Sequence, residues 1–254
     1  DLDSDGLDLV ALDKSKAFYD IDGDGYLENV GWVGDGDGFL SIDLNGDGRD
    51  ELVAAYRMGG GSLKLGVFHR GSPPAATLFD TWALSQSFTQ VELVAGDLDG
   101  STNGVQELGV MIRTTAGAVE VYVLKGDSSG GINQGDNAWD GYWLRNSVVG
   151  NAVGFTAGDL LLDGHQQMAV VTTFGSGSNR VLNYDLLEYE SSLPISVLPV
   201  GSNLAIGSKA FPTTIGTQFP SIAKLEADAG DVVDSGAAEL VLHIQYQESS
   251  FDYI

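Results

Sequence analysis

A short loop rich in aspartate and glycine recurs along the chain, and a run of apolar residues typical of a β-strand follows each copy. Four copies are led by Asp43, Asp97, Asp159 and Asp231, and a shorter relative begins at Asp1. The leading aspartates lie roughly 40 to 70 residues apart, so each interval has room for about four short strands, the content of one propeller blade. The sequence therefore predicts an all-β fold, a β-propeller-like array of about four or five four-stranded blades.

Glycine content supports the same fold class. The chain has 35 glycines among 254 residues, roughly twice the ordinary share of about 7%. Glycine at this density, with short apolar stretches between, is typical of many strands joined by tight turns. No segment keeps an apolar period of 3.6 residues over three turns, so we expect little helix.

The two most complete loops follow the pattern D-x-[DN]-x-D-G-x-x-E. Calcium takes 6–8 oxygen ligands, and alternate residues of a tight loop can point their oxygens inward while glycine permits the sharp turn. The seventh residue offers its backbone carbonyl, and the ninth closes the shell with a carboxylate. The predicted calcium ligands of these loops are Asp20, Asp22, Asp24, Tyr26 and Glu28, and Asp43, Asn45, Asp47, Arg49 and Glu51. Asp1, Asp3 and Asp5 are further candidates in the shorter opening loop.

An EF-hand is the main competing interpretation of these loops. It requires an acidic residue at the twelfth position and a helix on each side. The twelfth positions counted from Asp1, Asp20 and Asp43 are Leu12, Gly31 and Ala54, and the flanking segments resemble strands. The pattern therefore favours a calcium loop between strands.

The charge of the chain limits its partners. There are 36 acidic and 12 basic residues, a formal net charge of −24. This argues against nucleic acid and anionic membranes as partners, because both carry charge of the same sign. Residues 1–51 contain 15 of the carboxylates, and carboxylates so crowded repel one another unless cations lie among them.

The cysteine content, the apolar runs and the first residue of the chain give further expectations about its chemistry and context. It has no cysteine, so neither disulfides nor thiolate metal sites can form. It shows no signal peptide and no apolar run of about 18 residues, which argues against membrane insertion. It begins at Asp1 rather than Met, so we expect a processed or excised piece of a longer protein.

Residues 39–254 resemble FG-GAP/VCBS repeats, the blades of integrin-α-like β-propellers, whose hallmark is a nine-residue calcium loop between the first two strands of a blade. The resemblance implies metal ligation by the loop led by Asp43 and, despite the inserted Ser101-Thr102, by the loop led by Asp97. It transfers poorly to the loops led by Asp159 and Asp231, where Leu161, Gln167, Val233 and Ser235 stand at ligand places. In the loop led by Asp97, the ligands implied by the resemblance are Asp97, Asp99, Asn103 and Glu107.

Residues 1–51 are similar to an Asp/Gly-rich calcium-binding segment of large secreted bacterial proteins, including RTX-type toxins and adhesins. The string that carries this resemblance runs from Tyr19 through the aspartate loops to Gly48. Together the two resemblances divide the chain into a calcium-binding segment at residues 1–38 and propeller blades at residues 39–254.

Other motifs give weaker indications of chemistry. Gly126-x-Ser128-x-Gly130 matches a nucleophile motif, but more loop follows it where that motif needs a helix, so we predict a plain turn. The three histidines have no metal-site spacing. Trp139, Tyr142 and Trp143 either form a carbohydrate platform or pack into the core.

These observations predict a secreted, non-catalytic binding or adhesion module stabilised by structural calcium. Its partner would be a protein or glycan at a cell surface, and the module would belong to a larger chain or assembly. Two alternatives stay open at this level: the propeller domain of a secreted enzyme that acts on polysaccharide, and an architectural segment of a surface filament or giant adhesin.

Overall fold

The computed structural model describes residues 18–19, 28–29, 38–48, 50–57, 61–70, 76–101, 104–132, 141–145, 153–174, 181–190, 193–197, 209–210, 222–230 and 238–246. Within these ranges the regular structure consists of strands without any helix, and every strand pairing is antiparallel. The all-β class predicted from the loops and the glycine content is confirmed.

Sixteen strands are described, and they form four sheets: β1–β2, β3 to β9, β10 to β13 with β14 beside β12, and β15–β16. In chain order they are β1 (Phe18–Tyr19), β2 (Glu28–Asn29), β3 (Phe39–Ile42), β4 (Glu51–Arg57), β5 (Ser62–Arg70), β6 (Ala76–Gly96), β7 (Glu107–Thr114), β8 (Val119–Lys125), β9 (Gly141–Arg145), β10 (Val153–Gly158), β11 (Gln167–Phe174), β12 (Val181–Glu190), β13 (Leu193–Val197), β14 (Lys209–Ala210), β15 (Ile222–Gly230) and β16 (Glu239–Tyr246).

Strand β6 is 21 residues long and takes part in two ladders. Its first part pairs with β5 as far as Ser87, and its second part pairs with β7 from Phe88 onward. The seven-stranded sheet is therefore two four-stranded meanders joined by one continuous strand. We call them unit 1 (β3, β4, β5 and the first part of β6) and unit 2 (the second part of β6, β7, β8 and β9). Unit 3 comprises β10 to β13, and unit 4 comprises the pair β15–β16.

The units follow one another side by side. Strand β3 contacts β6, β6 contacts β10, and β10 contacts β15, so the strands that open successive units are neighbours. Between β10 and β15 the approach is close, because a Cβ atom on Gly154 would lie 3.0 Å from both the Cβ and the backbone nitrogen of Ala227. Small residues on both strands therefore allow units 3 and 4 to meet.

Two apolar clusters fill the spaces between units. In β7, Val110 and Ile112 belong to a cluster shared with unit 1, whereas Met111 belongs to a cluster shared with unit 3. In β8, Tyr122 likewise joins the first cluster and Val121 the second. Both faces of unit 2 are thus buried, which explains why β7 and β8 read as nearly continuous apolar runs instead of alternating with polar residues. Packing of the faces of successive units against one another forms the core.

Candidate metal centre

The aspartate loops occupy the same place in every unit. We call them loop 1 (residues 43–51), loop 2 (97–107), loop 3 (159–167) and loop 4 (231–239). Each connects the first strand of its unit to the second, and the ninth-place residue of the motif is the first residue of that second strand. Since the opening strands are neighbours, the described loops lie at one end of the sheets and next to one another.

Each of the three loops whose ninth-place side chain is described is closed by an equivalent hydrogen bond. In each loop this side chain is buried, and one of its oxygens accepts a hydrogen bond from the backbone N–H of the second loop residue, a leucine. The donor–acceptor distances are 3.0 Å from Leu44 to Glu51, 2.9 Å from Leu98 to Glu107 and 3.0 Å from Leu160 to Gln167. The ninth residue therefore holds the loop closed whether it is charged or neutral.

Loop 2 brings three carboxylates together. One carboxylate oxygen from each of Asp97, Asp99 and Glu107 lies within 4.8 Å of the other two. Among the described residues, these are the acidic or histidine side chains that come this close in a group of three. Glu107 Oε2 also accepts a second, longer hydrogen bond of 3.2 Å from the N–H of Asp99. Glu107 is only 1% exposed, so its charge has little access to water. This arrangement can hold a metal ion.

The charges within loop 2 perturb one another. Burial and the nearby charge of Asp99 raise the pKa of Glu107 to about 7. Burial also acts to raise the pKa of Asp99, but its hydrogen bonds with Lys125 and Ser101 outweigh that effect and lower the pKa. Lys125 Nζ lies 2.7 Å from Asp99 Oδ2. When all three groups are ionised, three carboxylates face one ammonium, which leaves two negative charges without a cationic partner.

One carboxylate oxygen of loop 2, Asp97 Oδ1, is buried without a hydrogen-bond partner. Buried polar atoms nearly always have a partner, and an unsatisfied one calls for an explanation such as a missing ion or water. An oxygen-binding cation between Asp97, Asp99 and Glu107 would satisfy Asp97 Oδ1 and reduce the carboxylate repulsion. The donor set therefore fits a hard cation.

Loop 1 has a different internal arrangement. Asp43 Oδ1 accepts hydrogen bonds from the N–H groups of Gly46 and Asp47, at 2.7 and 3.2 Å, and Asp43 Oδ2 accepts one from Gly48 at 2.8 Å. Both glycines have positive φ angles, 73° and 79°, which permit this tight path. Asn45 Oδ1 accepts a further bond of 2.9 Å from Asp47. The leading aspartate thus organises the loop through backbone donors.

Loop 3 has a neutral residue in the ninth place. Gln167 Nε2 donates a hydrogen bond of 3.0 Å to Asp163 Oδ1, while Asp159 accepts bonds of 3.1 Å from the N–H groups of Asp163 and Gly164. An amide N–H therefore stands where loop 2 has a third carboxylate. This agrees with the poor transfer of the calcium motif to the loop led by Asp159.

The remaining predicted ligands lie outside the described residues. For Glu28 the backbone is described in β2, but its side chain is not. The loop led by Asp231 is described only at its end, from Ala238 onward. Ligands predicted outside the described ranges are Asp1, Asp3, Asp5, Asp20, Asp22, Asp24, Tyr26, Arg49 and Asn103.

The motif at Gly126-x-Ser128-x-Gly130 is a turn. Gly126 bridges to Ile132, and Asp127 Oδ1 accepts hydrogen bonds from the N–H groups of Ser129 and Gly131. The carboxylate therefore organises a compact reversal, in agreement with the predicted turn.

The aromatic residues of β9 pack against the core. Tyr142 contacts the cluster between units 1 and 2, with its ring centroid 5.2 Å from that of Tyr122. Trp143 contacts the cluster between units 2 and 3. Trp139 lies outside the described residues. Of the two interpretations left open from the sequence, core packing is the one that fits these two residues.

Reasoning from the sequence missed Lys125 as a neighbour of the candidate site. It comes from β8, and the strand register places it opposite Glu107. A separation of 18 residues along the β7–β8 hairpin hides this pairing in the sequence, although a lysine at the end of an apolar strand is a usable signal once the register is known.

Comparison with known proteins gives a local match. The family model described as "SPM domain" matches residues 1–55, a range that ends within β4 and includes loop 1. This is about a fifth of the chain, and it crosses the expected boundary after residue 38. A search of curated proteins found no significant match. The described part of the chain contains no helix with the length and apolarity needed to cross a bilayer.

Proposed function

We propose that this protein is a calcium-stabilised extracellular binding or adhesion module, in which calcium is structural and not catalytic. The observation that carries the proposal is the convergence of Asp97, Asp99 and Glu107 in a loop that joins the first two strands of its unit. Calcium would be held by these carboxylates, and by Asn103 if the family resemblance holds at that position. It would supply positive charge at a point where three carboxylates now face one lysine.

The donor chemistry favours calcium over softer metals. The cluster offers only oxygen ligands, and the chain has no cysteine to supply a thiolate. With Lys125 counted, the ionised cluster carries two net negative charges, which match one divalent cation. Magnesium prefers a smaller, strictly octahedral shell and retains more of its water, whereas a flexible loop of carboxylates suits calcium.

The arrangement of units supports a propeller-like architecture. Units 1 to 3 are four-stranded meanders, their opening strands are neighbours, and the aspartate loops recur at the same end. We propose that the units are blades of the FG-GAP/VCBS type, and that residues 1–38 form a separate calcium-binding segment before them. In such an array the ion would stiffen a loop at the end of a blade and present a rigid surface to a partner.

The proposed partner is a protein or glycan at a cell surface. A net charge of −24 disfavours nucleic acid and anionic lipid surfaces, and structural calcium is typical of modules that work outside the cell, where the ion is abundant. We further propose that the chain acts as part of a larger protein or assembly, as the resemblance to repeats of surface proteins suggests.

Thermal unfolding with and without calcium tests this function. We expect about 1 mM CaCl2 to raise the melting temperature relative to the protein in chelator, because an ion that binds the folded state stabilises it by mass action. MgCl2 at the same concentration should give a smaller shift. The matched variant Asp97→Asn removes one converging carboxylate and should reduce the calcium response. A melting temperature that does not depend on calcium up to about 10 mM would rule out the structural role.

A further inference from the structure

Loop 3 is closed by hydrogen bonds among its own groups. The N–H of Leu160 donates to Gln167 Oε1, and Gln167 Nε2 donates to Asp163 Oδ1, both at 3.0 Å. Asp159 accepts two backbone N–H groups, and the N–H of His165 donates to Asp163 Oδ1 at 3.0 Å. Donors of the chain itself therefore hold the shape of loop 3.

Two residues near the end of loop 3 lie against loop 2. A Cβ atom on Gly100 would come within 2.4 Å of His165 Nδ1, so the imidazole ring covers the backbone there. A Cβ atom on Gly96 would come within 1.7 Å of Gln166 Oε1, so the amide covers the backbone at this point too. The two glycines directly precede and follow residues 97–99, which supply two of the three converging carboxylates. Loop 3 thus contacts this segment at both of its ends.

The contact at Gly100 affects the position of Asp99. Gly100 has a φ angle of 63°, so the backbone turns sharply directly after Asp99. Within this turn the N–H of Ser101 donates to Asp99 Oδ1 at 2.9 Å. A ring that lies against Gly100 restrains the turn, and with it the carboxylate of Asp99.

A related contact joins loops 1 and 2. Gln106 and Gln166 each stand immediately before the ninth place of their own loop. The N–H of Gln106 donates to the carbonyl oxygen of Asp43 at 3.1 Å, and Gln106 Oε1 accepts the N–H of Asp43 at 3.2 Å. A glutamine before the ninth place thus approaches the start of the preceding loop in both pairs. Among the described residues, the converging carboxylates belong to the second pair, where loop 3 contacts loop 2.

We propose that His165 and Gln166 form a brace that positions the carboxylates of loop 2 for calcium. This inference rests on the proposed function, since it needs an ion among Asp97, Asp99 and Glu107, where the buried Asp97 Oδ1 lacks a hydrogen-bond partner. The brace holds both aspartates before the ion arrives, so less ordering is left for the binding step. His165 and Gln166 are positioning residues, because neither belongs to the group of converging donors. The calcium affinity of loop 2 in unit 2 therefore depends on unit 3.

The affinity of loop 2 can be measured locally by titrating the full chain with CaCl2 and following backbone amide resonances by NMR. Leu98 and Asp99 report on the site, because their N–H groups donate to the carboxylate of Glu107 that the ion would engage. Urea unfolding of each variant in chelator measures global stability separately, so a loss of stability is not mistaken for a loss of affinity.

The contact at Gly96 can be removed from either side. Gln166→Ala deletes the side chain, and Gly96→Ala displaces it, because the three atoms nearest the added Cβ all belong to the flexible amide end of Gln166. Each substitution should raise the calcium midpoint of loop 2 by about fivefold, the lower end of typical coupling between sites. The double variant should show no larger shift than either single variant, because both remove the same contact.

The contact at Gly100 is tested at position 165. His165→Ala should raise the loop 2 midpoint by about fivefold, because no ring then restrains the turn. His165→Phe keeps a planar ring without its nitrogen atoms and should bring the midpoint to within about twofold of the unsubstituted protein. Leu162→Ala is the matched control: Leu162 belongs to loop 3 and is 59% exposed, and its replacement should leave the midpoint unchanged.

The outcomes separate the brace from the ion site. A loop 2 midpoint that stays constant in Gln166→Ala or in His165→Ala overturns the brace and leaves the proposed function standing. Additive shifts in the double variant, or a failure of His165→Phe to restore the midpoint, also overturn it, because the effect then comes from something other than these packing contacts. If Leu98 and Asp99 do not respond to CaCl2 in the unsubstituted protein, the brace and the proposed calcium site are refuted together.

Discussion

Replacing Glu107 by glutamine should stabilise the calcium-free protein and remove the contribution of loop 2 to its calcium response. Loop 3 already contains glutamine at the corresponding place, where Gln167 closes the loop through the same backbone hydrogen bond and donates a second one to Asp163. Glu107→Gln should make the equivalent bonds in loop 2. It also removes a carboxylate that is 1% exposed and lies beside Asp99.

The expected size follows from the pKa of Glu107, which burial and Asp99 raise from an ordinary 4.5 to about 7 in the folded protein. The folded state therefore binds this proton more tightly than the unfolded state. As pH rises from 4.5 to 7, the folded state loses stability, and the full penalty is present above pH 7. A shift of this size corresponds to on the order of 3 kcal/mol, since each pKa unit is worth about 1.4 kcal/mol. Glu107→Gln lacks the penalty.

Urea unfolding in chelator at several pH values measures the effect. At pH 8 Glu107→Gln should be more stable than the unsubstituted protein by up to about 3 kcal/mol, and the difference should vanish below about pH 4.5. In CaCl2 the difference should shrink, because only the unsubstituted protein gains an ion in loop 2. Asp50→Asn is the control for the loss of one carboxylate at an exposed position outside loop 2. Equal or lower stability of Glu107→Gln at pH 8 in chelator would refute the reasoning.

Three further substitutions give independent checks. Lys125→Met removes the ammonium of loop 2, so it should cost about 1–3 kcal/mol in chelator while enlarging the calcium-induced rise in melting temperature; a smaller rise would contradict the charge argument. Gln167→Glu adds a buried carboxylate to loop 3, which should destabilise the calcium-free protein by about 2–3 kcal/mol, and calorimetric titration should show one more bound calcium. Gly158→Val should cost about 1–3 kcal/mol in chemical unfolding, because a Cβ atom there would lie 2.8 Å from the Cβ of Ala229, whereas Gly230→Val, where nothing lies within 4 Å, should cost less.

The fold class was predictable because its signals are local. The ninth residue of each motif, Glu51, Glu107, Gln167 and Glu239, is the first residue of a strand, as the apolar run after each loop indicated. Turn residues and short apolar runs act over a few positions, so they specify strands and the loops between them without reference to the rest of the chain. The four strands of units 1, 2 and 3 also agree with the spacing of the loops.

Which loop brings its carboxylates together was harder to predict from the sequence than the fold class. The sequence pattern is most complete in the loops led by Asp20 and Asp43, yet among the described residues the three carboxylates that meet are in loop 2. A motif specifies which residues can supply oxygens. Whether those oxygens converge depends on how the backbone of the loop closes and on which N–H groups compete for the same carboxylates, as they do for Asp43.

By itself, the sequence determined an all-β chain with acidic loops between strands and a strongly negative net charge, because composition and short-range patterns carry that information. Only the tertiary structure decided that Lys125 faces Asp99, that Gln106 holds Asp43, and that the loops stand in a row. These contacts join different strands or different units. Their geometry depends on strand register and on the packing of one sheet against the next, which no local pattern in the sequence expresses.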